Sequence, residues 1–362
     1  MDAYLPERLA LTGATGALGL AFLRRNFERD RKLRATLLVR RSSSSFQSVE
    51  FQKWLGQNKE RVTLIDGDVR QVGPEALATL LAGDGGLWHF AARTSLVADS
   101  EEDARQIHAV NVEGTERLAA ACRQSRSDFP FYHVSTAYVV GTRRGTALEG
   151  EHAMQQSFRN PYEASKLEAE TRVRQAFAAG VKGAIFRPSV VVDDLGGTGG
   201  IKMVDACAYA VGLAVTRGEP FVFRLQSSAS LNLVHSDWVI AAMIDLARLP
   251  SGPGKTYHLT APKPTSLREI AEILEVLVPN LKISFEPELK RAELPTASKI
   301  FDKAITEIRP YFDAEVHFDR TNTERDLSVA VKESPMDLAP FVQSRLKSEL
   351  TRLTHRKQTV DG

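Results

Sequence analysis

The segment that most constrains this chain is a glycine-rich turn near its amino terminus. An apolar run from Arg8 to Thr12 predicts a β-strand, and a helical pattern from about Gly16 to Phe27 follows it. The turn between them reads Thr12-Gly-x-x-Gly-x-x-Gly19. In this context the glycines let backbone approach a pyrophosphate closely, and the helix offers unpaired N–H groups to its charge. The turn therefore predicts dinucleotide binding, and the alternative is a glycine-rich turn without a ligand.

Short apolar runs alternate with helical stretches through the first half of the chain. Because these runs are mostly continuous, they predict strands that are buried on both faces. Strands alternating with helices predict βαβ units and a parallel sheet covered by helices on both sides. We therefore expect an α/β fold with a Rossmann-type doubly wound parallel sheet. The predicted strands are Arg8–Thr12, Ala35–Val39, Val62–Ile65, Leu87–Phe90, Phe131–Ser135 and Ala184–Phe186, and the predicted helices include 16–27, 101–123 and 162–179.

The pattern changes after Pro188. A glycine-rich loop is predicted at 193–200, and mixed strands and helices follow it, with strands at 230–234 and 257–260 and a helix at 237–247. The last part of the chain is mainly helical and charged. We predict an NADP-binding Rossmann domain of residues 1–192, to which 230–260 return, and a smaller, mainly helical C-terminal substrate domain formed by 193–229 and 261–362.

Composition narrows the class of protein and its partners. The 362 residues are 43% hydrophobic and 25% charged, as in an ordinary globular protein with a sizeable core. The 47 basic and 45 acidic residues nearly cancel, which gives no reason to expect nucleic acid or a membrane surface as a partner. Cys122 and Cys207 lack a metal-ligand spacing, so no metal site is predicted, and two reduced thiols are typical of a cytoplasmic protein. The most apolar stretch, Val204–Val215, is too short to span a bilayer.

The ends of the second and third predicted strands indicate which dinucleotide is bound. NAD-binding versions of the fold usually place an acidic residue after the second strand, where it holds the ribose 2′-hydroxyl. This chain has Arg40 and Arg41 there, and a guanidinium favours the 2′-phosphate of NADPH. The alternative for Arg40 is a solvated surface arginine. Asp68, after the third strand, is a candidate acceptor for the adenine amino group or a turn-forming residue.

Tyr162 and Lys166 are four residues apart and therefore share one face of a predicted helix. A tyrosine hydroxyl, with an ordinary pKa near ~10, needs positive charge nearby to exchange a proton at neutral pH. A lysine and an oxidised nicotinamide both supply that charge. The fifth strand just before this helix ends in Ser135 and Thr136, and a hydroxyl at the carboxyl end of a parallel strand points into the ligand crevice. A polar strand end without a ligand is the alternative.

These motifs, in this order, resemble those of the extended short-chain dehydrogenases/reductases. The closer resemblance is to the fatty acyl-CoA reductases of the male-sterility type and to thioester reductase domains. It depends on Arg40 in place of an acidic strand end, on the long stretch from Arg40 to Asp68, and on His133-Val-Ser-Thr-Ala-Tyr138. The match covers about residues 8–260. The full set is Thr12-Gly-x-x-Gly-x-x-Gly19, His89-Phe-Ala-Ala92, Asn111-Val-Glu-Gly-Thr115, Val134-Ser-Thr-Ala-Tyr138, Tyr162-x-x-x-Lys166 and Arg187-Pro-Ser189.

The resemblance implies a role for each matching residue. Thr136 and Tyr162 would polarise a substrate carbonyl, and Lys166 would hold the nicotinamide ribose and tune Tyr162. Arg40 would meet the 2′-phosphate of NADPH, and Asp68 would meet the adenine. The other cofactor-binding residues that it implies are Gly13, Gly16 and Gly19 at the pyrophosphate, Ala91 and Ala92 at the cofactor backbone, and Pro188 and Ser189 near the nicotinamide, together with Thr12, Thr15, Ala17, Leu18 and Val69.

The activity implied is reduction of an acyl thioester, on CoA or a carrier protein, to an aldehyde by NADPH. A second hydride transfer would yield the alcohol. The basic tail from Arg345 to Lys357 is interpreted as a solvated helix face, and a surface for an acidic acyl carrier protein is the alternative. Two other hypotheses stay open. The same Thr136, Tyr162 and Lys166 would serve a ketone or hydroxyl oxidoreductase or a nucleotide-sugar epimerase or dehydratase, and a non-enzymatic cofactor sensor would keep the same fold.

Overall fold

A computed structural model of the chain describes residues 7–125, 129–192, 199–249, 254–332, 342–349 and 351–352. The chain divides into two compact units. Residues 230–235, predicted within the Rossmann part, group with unit 2, and 316–334, predicted in the substrate part, group with unit 1. Unit 1 comprises Met1–Ser189, Ser236–Thr260 and Val316–Ser334, and unit 2 comprises Val190–His235, Ala261–Glu315 and Pro335–Gly362.

The helices and strands follow one another along the chain in short segments. In chain order the strands are β1 (Arg8–Thr12), β2 (Arg34–Val39), β3 (Val62–Asp66), β4 (Leu87–His89), β5 (Phe131–Val134), β6 (Gly145–Ala147), β7 (Gly183–Pro188), β8 (Val190–Val192), β9 (Phe221–Phe223), β10 (Ser230–Leu231), β11 (Leu233–His235), β12 (Lys255–Leu259), β13 (Thr265–Ser266), β14 (Ile283–Phe285) and β15 (Val316–Phe318). The α-helices are α1 (Ala17–Arg29), α2 (Val49–Asn58), α3 (Pro74–Leu80), α4 (Glu101–His108), α5 (Gly114–Ser125), α6 (Pro161–Ala178), α7 (Gly199–Arg217), α8 (Ser236–Leu246), α9 (Leu267–Leu277), α10 (Thr296–Ala304), α11 (Arg309–Phe312), α12 (Thr321–Asp326) and α13 (Val329–Lys332). Single 3₁₀ turns occupy Lys59–Arg61, Ala137–Val140 and Arg291–Glu293, and a π-helical turn occupies Ala109–Glu113.

Unit 1 is built on a seven-stranded sheet in the order β3-β2-β1-β4-β5-β7-β12, and every neighbouring pair in it is parallel. The strand order reverses between β1 and β4, where Thr12 pairs with His89. In such sheets ligands bind beyond the carboxyl ends of the strands at this reversal. The predicted α/β doubly wound parallel sheet is confirmed, and its crevice opens beside the glycine-rich turn.

The central strands of this sheet are buried along nearly their whole length, as continuous apolar runs predict. β3, at the edge, is only half-buried. One face of the sheet packs aromatic rings, with the Trp88 ring stacked on Phe186 at 5.9 Å between centroids and on Tyr132 at 4.3 Å. The other face packs mainly aliphatic side chains, among them Leu118 and Val173 from α5 and α6. Two apolar layers therefore fix the sheet from which the site residues project.

In its described residues, unit 2 combines helices with three two-stranded sheets that join distant segments. In it β8 pairs with β11, β9 with β14, and β10 with β13. The predicted loop at 193–200 lies outside the described residues except for its last two, which begin α7. The part of the predicted basic tail within 342–349 is helical, and its residues 353–357 lie outside the described ones.

Among the helices of the described ranges, none is both long enough and apolar enough to cross a bilayer.

Candidate functional site

The glycine-rich turn joins β1 to α1 at the strand reversal. Gly13 has φ 73°, and a Cβ on it would lie 2.4 Å from the Ala91 nitrogen, so only glycine fits there. A Cβ on Gly19 would lie 2.3 Å from the Gly13 oxygen, so this glycine serves the packing of the turn itself. Gly16 caps α1 without a side-chain acceptor, and the first turn of that helix holds no acidic residue. The unpaired N–H groups and the positive dipole end of α1 are therefore available to bind an anion from outside the helix.

A cavity of about 160 Å³ in unit 1 adjoins this helix end. It brings together eight of the residues predicted to bind the cofactor, namely Gly13, Thr15, Gly16, Arg40, Asp68, Val69, Ala91 and Ala92. Seven further lining residues were not predicted as site residues, namely Leu38, Val39, Ser43, Ser45, Gly67, Phe90 and Val110. Cationic, hydroxyl and small apolar groups beside a helix amino terminus fit the phosphates and flat rings of a dinucleotide.

Asp68 lies at the arginine-rich end of the cavity. Its carboxylate accepts two hydrogen bonds from the Arg70 guanidinium, at 2.9 and 3.0 Å, and its Oδ2 lies 3.6 Å from Nη1 of Arg40. Burial tends to raise the pKa of Asp68, but the Arg70 hydrogen bonds and the Arg40 charge outweigh it and hold the pKa below its ordinary value. Oδ1 also accepts the Arg70 backbone N–H at 2.9 Å, so Asp68 forms the turn weighed as an alternative. Arg40 is 56% exposed and free to face a ligand.

Thr12 supports the turn from inside the protein. Its side chain is fully buried and contacts Nδ1 of His89 at 2.6 Å, while Nε2 of His89 contacts the Thr115 hydroxyl at 2.8 Å. Thr115 donates its proton to the Asn111 carbonyl, so it accepts from Nε2–H, and Nδ1 of His89 accepts from Thr12. Burial, with the charge of Lys166, lowers the pKa of His89 to about 3, which keeps the ring neutral. Thr12 therefore acts through packing and does not line the cavity.

The π-helical turn connects the cavity to α6. Val110 lines the cavity, and the neighbouring Asn111 donates its side-chain N–H to the Ser165 hydroxyl at 2.9 Å. Ser165 in turn donates to the Tyr162 carbonyl at 2.8 Å. Asn111 also exchanges two hydrogen bonds with the Arg93 backbone, at 2.7 and 3.0 Å. Single π turns inside helices are frequent at functional sites, and here the turn fixes the first turn of α6 beside the cofactor cavity.

Lys166 projects from α6 to the carboxyl end of β5. Its side chain is buried, and Nζ donates to the Val134 carbonyl at 2.8 Å and contacts Nε2 of His133 at 3.4 Å. Burial lowers the pKa of Lys166 to about 8, with Glu170 opposing the shift. His133 is buried too, and burial and the Lys166 charge hold its pKa well below its ordinary value. The ammonium therefore faces a neutral imidazole and a carbonyl.

Tyr162 begins the same helix, which is well defined at its amino end. Asn160 caps α6 by accepting the Glu163 N–H at 2.9 Å, and Pro161 starts its first turn. Tyr162 is half-buried. Burial, and then the charge of Glu163, raise the pKa of Tyr162 above its ordinary value, so the hydroxyl keeps its proton at neutral pH. In this state it is a hydrogen-bond and proton donor.

Thr136 lies two residues after the end of β5 and caps the 3₁₀ turn Ala137–Val140. Its buried hydroxyl accepts the Tyr138 N–H at 3.3 Å, so the hydroxyl proton stays available to another acceptor. The 3₁₀ turn packs against α6, which places Thr136 and Tyr162 on adjoining elements. The predicted position of Thr136 beyond the carboxyl end of the fifth strand agrees with this placement.

Pro188 ends β7, and Ser189 follows it directly. The Ser189 backbone N–H donates to the Leu259 carbonyl at 3.3 Å, whereas its buried hydroxyl has no partner among the described residues. A buried hydroxyl without a partner is costly, and a ligand group would satisfy it. Ala17, Leu18 and Gly19 lie in the first turn of α1, and, like Lys166, they do not line the cavity.

Unit 2 contains a separate cavity of about 40 Å³. Its lining is almost wholly apolar, with a single hydroxyl residue, Thr265. The described residues that surround it are Val192, Met203, Val204, Cys207, Ala208, Phe223, Leu233, Thr265, Leu267, Ile270, Ile273, Leu274, Phe301, Phe312, Val342 and Leu346.

The parallel sheet, the strand reversal and the glycine-rich turn define a dinucleotide-binding Rossmann protein. The profile of the family described as male sterility protein matches residues 11–243. The chain belongs to this family, among the extended short-chain dehydrogenases/reductases.

One curated relative with a similar sequence is a ketoreductase. A ketoreductase of Stigmatella aurantiaca, acting on 4-hydroxy-2-methyl-3-oxo-4-farnesyl-3,4-dihydroquinoline-1-oxide, is 30% identical over 185 residues, which are 51% of this chain and 50% of that protein. The chain thus spans about half the length of this relative.

Solved structures show the same fold over nearly the whole chain. The terminal R domain of the myxalamid PKS-NRPS pathway has a TM-score of 0.75 at 22% identity and covers 97% of this chain and 92% of that one. A thiolation-reductase di-domain of an archaeal non-ribosomal peptide synthetase has a TM-score of 0.68 at 16% identity. The match covers 96% of this chain and 76% of that one. UDP-glucuronic acid 4-epimerase from Bacillus cereus in complex with NAD has a TM-score of 0.68 at 15% identity. The match covers 95% of this chain and 99% of that one. At such identities the likeness establishes the fold.

Proposed function

We propose that this chain is an NADPH-dependent reductase of acyl thioesters, presented on CoA or on a carrier protein. The observation that most supports it is the link through the π turn. Val110 lines the cavity beside the glycine-rich turn, and the neighbouring Asn111 is hydrogen-bonded to Ser165 of α6, the helix that bears Tyr162 and Lys166. Cofactor cavity and proton donor are thereby held in one rigid arrangement, as a reductase requires.

NADPH, when bound, supplies a hydride to the carbonyl carbon. Gly16, at the amino end of α1, would hold the pyrophosphate, and Arg40 the 2′-phosphate. Asp68 and the small residues Ala91 and Ala92 would line the adenosine and the backbone of the cofactor, and Pro188 and Ser189 its nicotinamide end. Val69 and Thr15 complete the lining. Thr12, Ala17, Leu18 and Gly19 would shape the turn around the pyrophosphate.

Tyr162 and Thr136 would stabilise the oxyanion that develops on the carbonyl oxygen. Tyr162 would donate its hydroxyl to this oxyanion, and the positive charges of Lys166 and of the oxidised nicotinamide would oppose the rise that burial and Glu163 cause in its pKa. Lys166 would contribute its positive charge and hold the nicotinamide ribose. The resulting hemithioacetal would collapse with cleavage of its C–S bond. The overall balance is thioester, NADPH and a proton giving aldehyde, thiol and NADP⁺, and a second hydride transfer would give the alcohol.

A carrier protein as the partner is supported by two of the similar structures, which are a terminal R domain and a thiolation-reductase di-domain. The cytoplasm is the compartment we propose, where Cys122 and Cys207 would remain free thiols.

The test follows NADPH absorbance with purified protein and a panel of acyl-CoA and acyl-pantetheine thioesters, matched with ketones of the same carbon skeleton. We expect oxidation of NADPH with at least one thioester and none with its ketone. Turnover of the ketones alone would favour the second candidate, a ketone reductase, which the 30% identical ketoreductase supports. Tightly bound NAD in the purified protein would favour an epimerase.

A further inference from the structure

The buried imidazole of His133 has no part in the proposed reaction as described so far. It lies in β5, where successive side chains face opposite sides of the sheet. Phe131 of the same strand packs in the aliphatic layer with α5 and α6, and Tyr132 stacks on Trp88 in the aromatic layer. His133 therefore faces the α6 side together with Phe131, and it is fully buried. A polar ring in this position needs a polar partner.

That partner is the ammonium of Lys166. Its Nζ lies 3.4 Å from Nε2 of His133 and donates to the Val134 carbonyl at 2.8 Å. Burial and the Lys166 charge hold the pKa of His133 well below its ordinary value, so the ring is neutral and Nε2 can accept a hydrogen bond. An ammonium has three N–H groups. Two acceptors on consecutive residues of β5 therefore fix its rotation and leave one N–H for a ligand.

Among the described residues, no carboxylate contacts the Lys166 ammonium. Glu170, one turn further along α6, attracts it, but both carboxylate oxygens of Glu170 accept from Arg187, at 2.9 and 2.6 Å. His89 on β4 is buried and neutral, and Tyr162 on α6 keeps its proton. A carboxylate in β5 at this point would neutralise the ammonium, whereas a neutral acceptor orients it and leaves its charge to act on Tyr162.

We propose that His133 is a positioning residue for Lys166. Its Nε2 and the Val134 carbonyl hold two ammonium N–H groups, so that the third is directed at the ribose of the bound cofactor while the charge stays available to Tyr162. This inference rests on the roles of Lys166 and Tyr162 in the proposed function but not on the identity of the substrate. The two side chains are 33 residues apart in sequence and meet through the packing of α6 on the sheet.

His133→Asn and His133→Gln form a matched pair of variants. Both replace the ring with a neutral amide, but the Gln oxygen can reach the former position of Nε2, whereas the shorter Asn side chain reaches only that of Nδ1. NADPH oxidation with an accepted thioester, followed across neutral and alkaline pH, measures the alkaline decline of kcat/KM. In the unaltered protein this decline should fall at about pH 8, the pKa to which burial lowers Lys166.

His133→Asn should move the decline to lower pH by about one unit, because loss of an acceptor disfavours the charged form of Lys166. It should also weaken the binding of NADPH by about threefold to tenfold, since the third N–H is no longer directed at the ribose. His133→Gln should restore both the position of the decline and the affinity for NADPH. A side chain with a purely structural role would lower the amount of active protein without moving the decline.

Tyr132→Phe is the structural control on the same strand. It removes the hydrogen bond from the Tyr132 hydroxyl to the Ala247 carbonyl, at 3.2 Å, on the opposite face of the sheet. We expect a lower urea unfolding midpoint and an unshifted decline of kcat/KM. His133→Leu, close to histidine in volume and without an acceptor, repeats the test for the case in which His133→Asn does not fold, and it should shift the decline in the same direction.

An unshifted decline in folded His133→Asn or His133→Leu protein would overturn the proposal. So would an equal shift in His133→Gln, since ring packing rather than the acceptor would then be responsible. The Kd of NADPH, measured against pH by fluorescence without substrate, separates this proposal from the proposed reaction. If no thioester is reduced, a loss of NADPH affinity that begins at lower pH in His133→Asn, and at the original pH in His133→Gln, would still support the positioning of Lys166.

Discussion

Arg187 and Glu170 form a buried ion pair in unit 1. The two side chains are 1% and 0% exposed, and the guanidinium donates to both carboxylate oxygens, at 2.9 and 2.6 Å. Glu170→Leu would leave a buried guanidinium without its counter-charge. Arg187→Met would leave a buried carboxylate whose nearest remaining cation is Arg174, at 3.8 Å. Since breaking a buried pair costs about 3–5 kcal/mol, each single variant should lose about that much free energy of unfolding, with Arg187→Met at the lower end.

The double variant Glu170→Leu/Arg187→Met removes both charges together. Burying two apolar side chains of similar volume avoids the uncompensated charge, so the double variant should cost at least about 2 kcal/mol less than the sum of the single variants. The exposed pair of Glu102 and Arg105, 3.0 Å apart, provides the matched control. Arg105→Gln should leave the unfolding midpoint unchanged, because solvent screens that pair.

Urea unfolding followed by tryptophan fluorescence measures these differences. The chain's 3 tryptophans, at positions 54, 88 and 238, all lie in unit 1, so the signal reports that unit. Burial tends to raise the pKa of Glu170, but the Arg187 charge prevails and lowers it. The stability that this carboxylate contributes is therefore present above its ordinary pKa and is lost as pH falls through the lowered value. Single variants that cost less than about 1 kcal/mol, or strictly additive costs, would refute this reasoning.

Three further predictions concern catalysis and the backbone. Tyr162→Phe should lower kcat by about 10²–10⁴-fold and leave the Kd of NADPH unchanged, because the hydroxyl acts on the substrate carbonyl and the residue does not line the cavity. Burial lowers the pKa of Lys166 to about 8, so kcat/KM should decline as pH rises through that value. Because arginine stays charged, the residual activity of Lys166→Arg should show no such decline. Gly183→Ala should destabilise unit 1 by about 3 kcal/mol, because its Cβ would lie 1.9 Å from the Phe131 oxygen. Gly56→Ala lies in open space within α2 and should stabilise unit 1 by about 0.5–1 kcal/mol. Urea unfolding measures the sign of both changes.

Local patterns in the sequence predict unit 1 well. Continuous apolar runs gave β1, β2 and β5 nearly to the residue, because strands buried on both faces leave that signature. The predicted helix 101–123 exists as α4, a π turn and α5. The π turn was not predicted, since it depends on the bonds of Asn111 to Arg93 and Ser165, which are distant in sequence.

Unit 2 and the support of the site are set by distant pairings. β15 joins unit 1 because it pairs with β6, and β14 pairs with β9, in three-residue ladders that have no local period. Likewise His89 looks like part of a motif, but its neutral state and tautomer follow from Thr12 and Thr115, which the fold brings to either side of it.

Transfer of deuterium from the reactive position of labelled NADPH tests the proposed reaction most directly. The protein is incubated with an acyl-CoA, and the products are analysed by mass spectrometry for aldehyde, alcohol and free thiol. The proposed function predicts an aldehyde bearing one deuterium on its carbonyl carbon, with one equivalent of thiol released, and loss of both products in Tyr162→Phe. Deuterium found only in the alcohol of an added ketone, with every thioester intact, would contradict it.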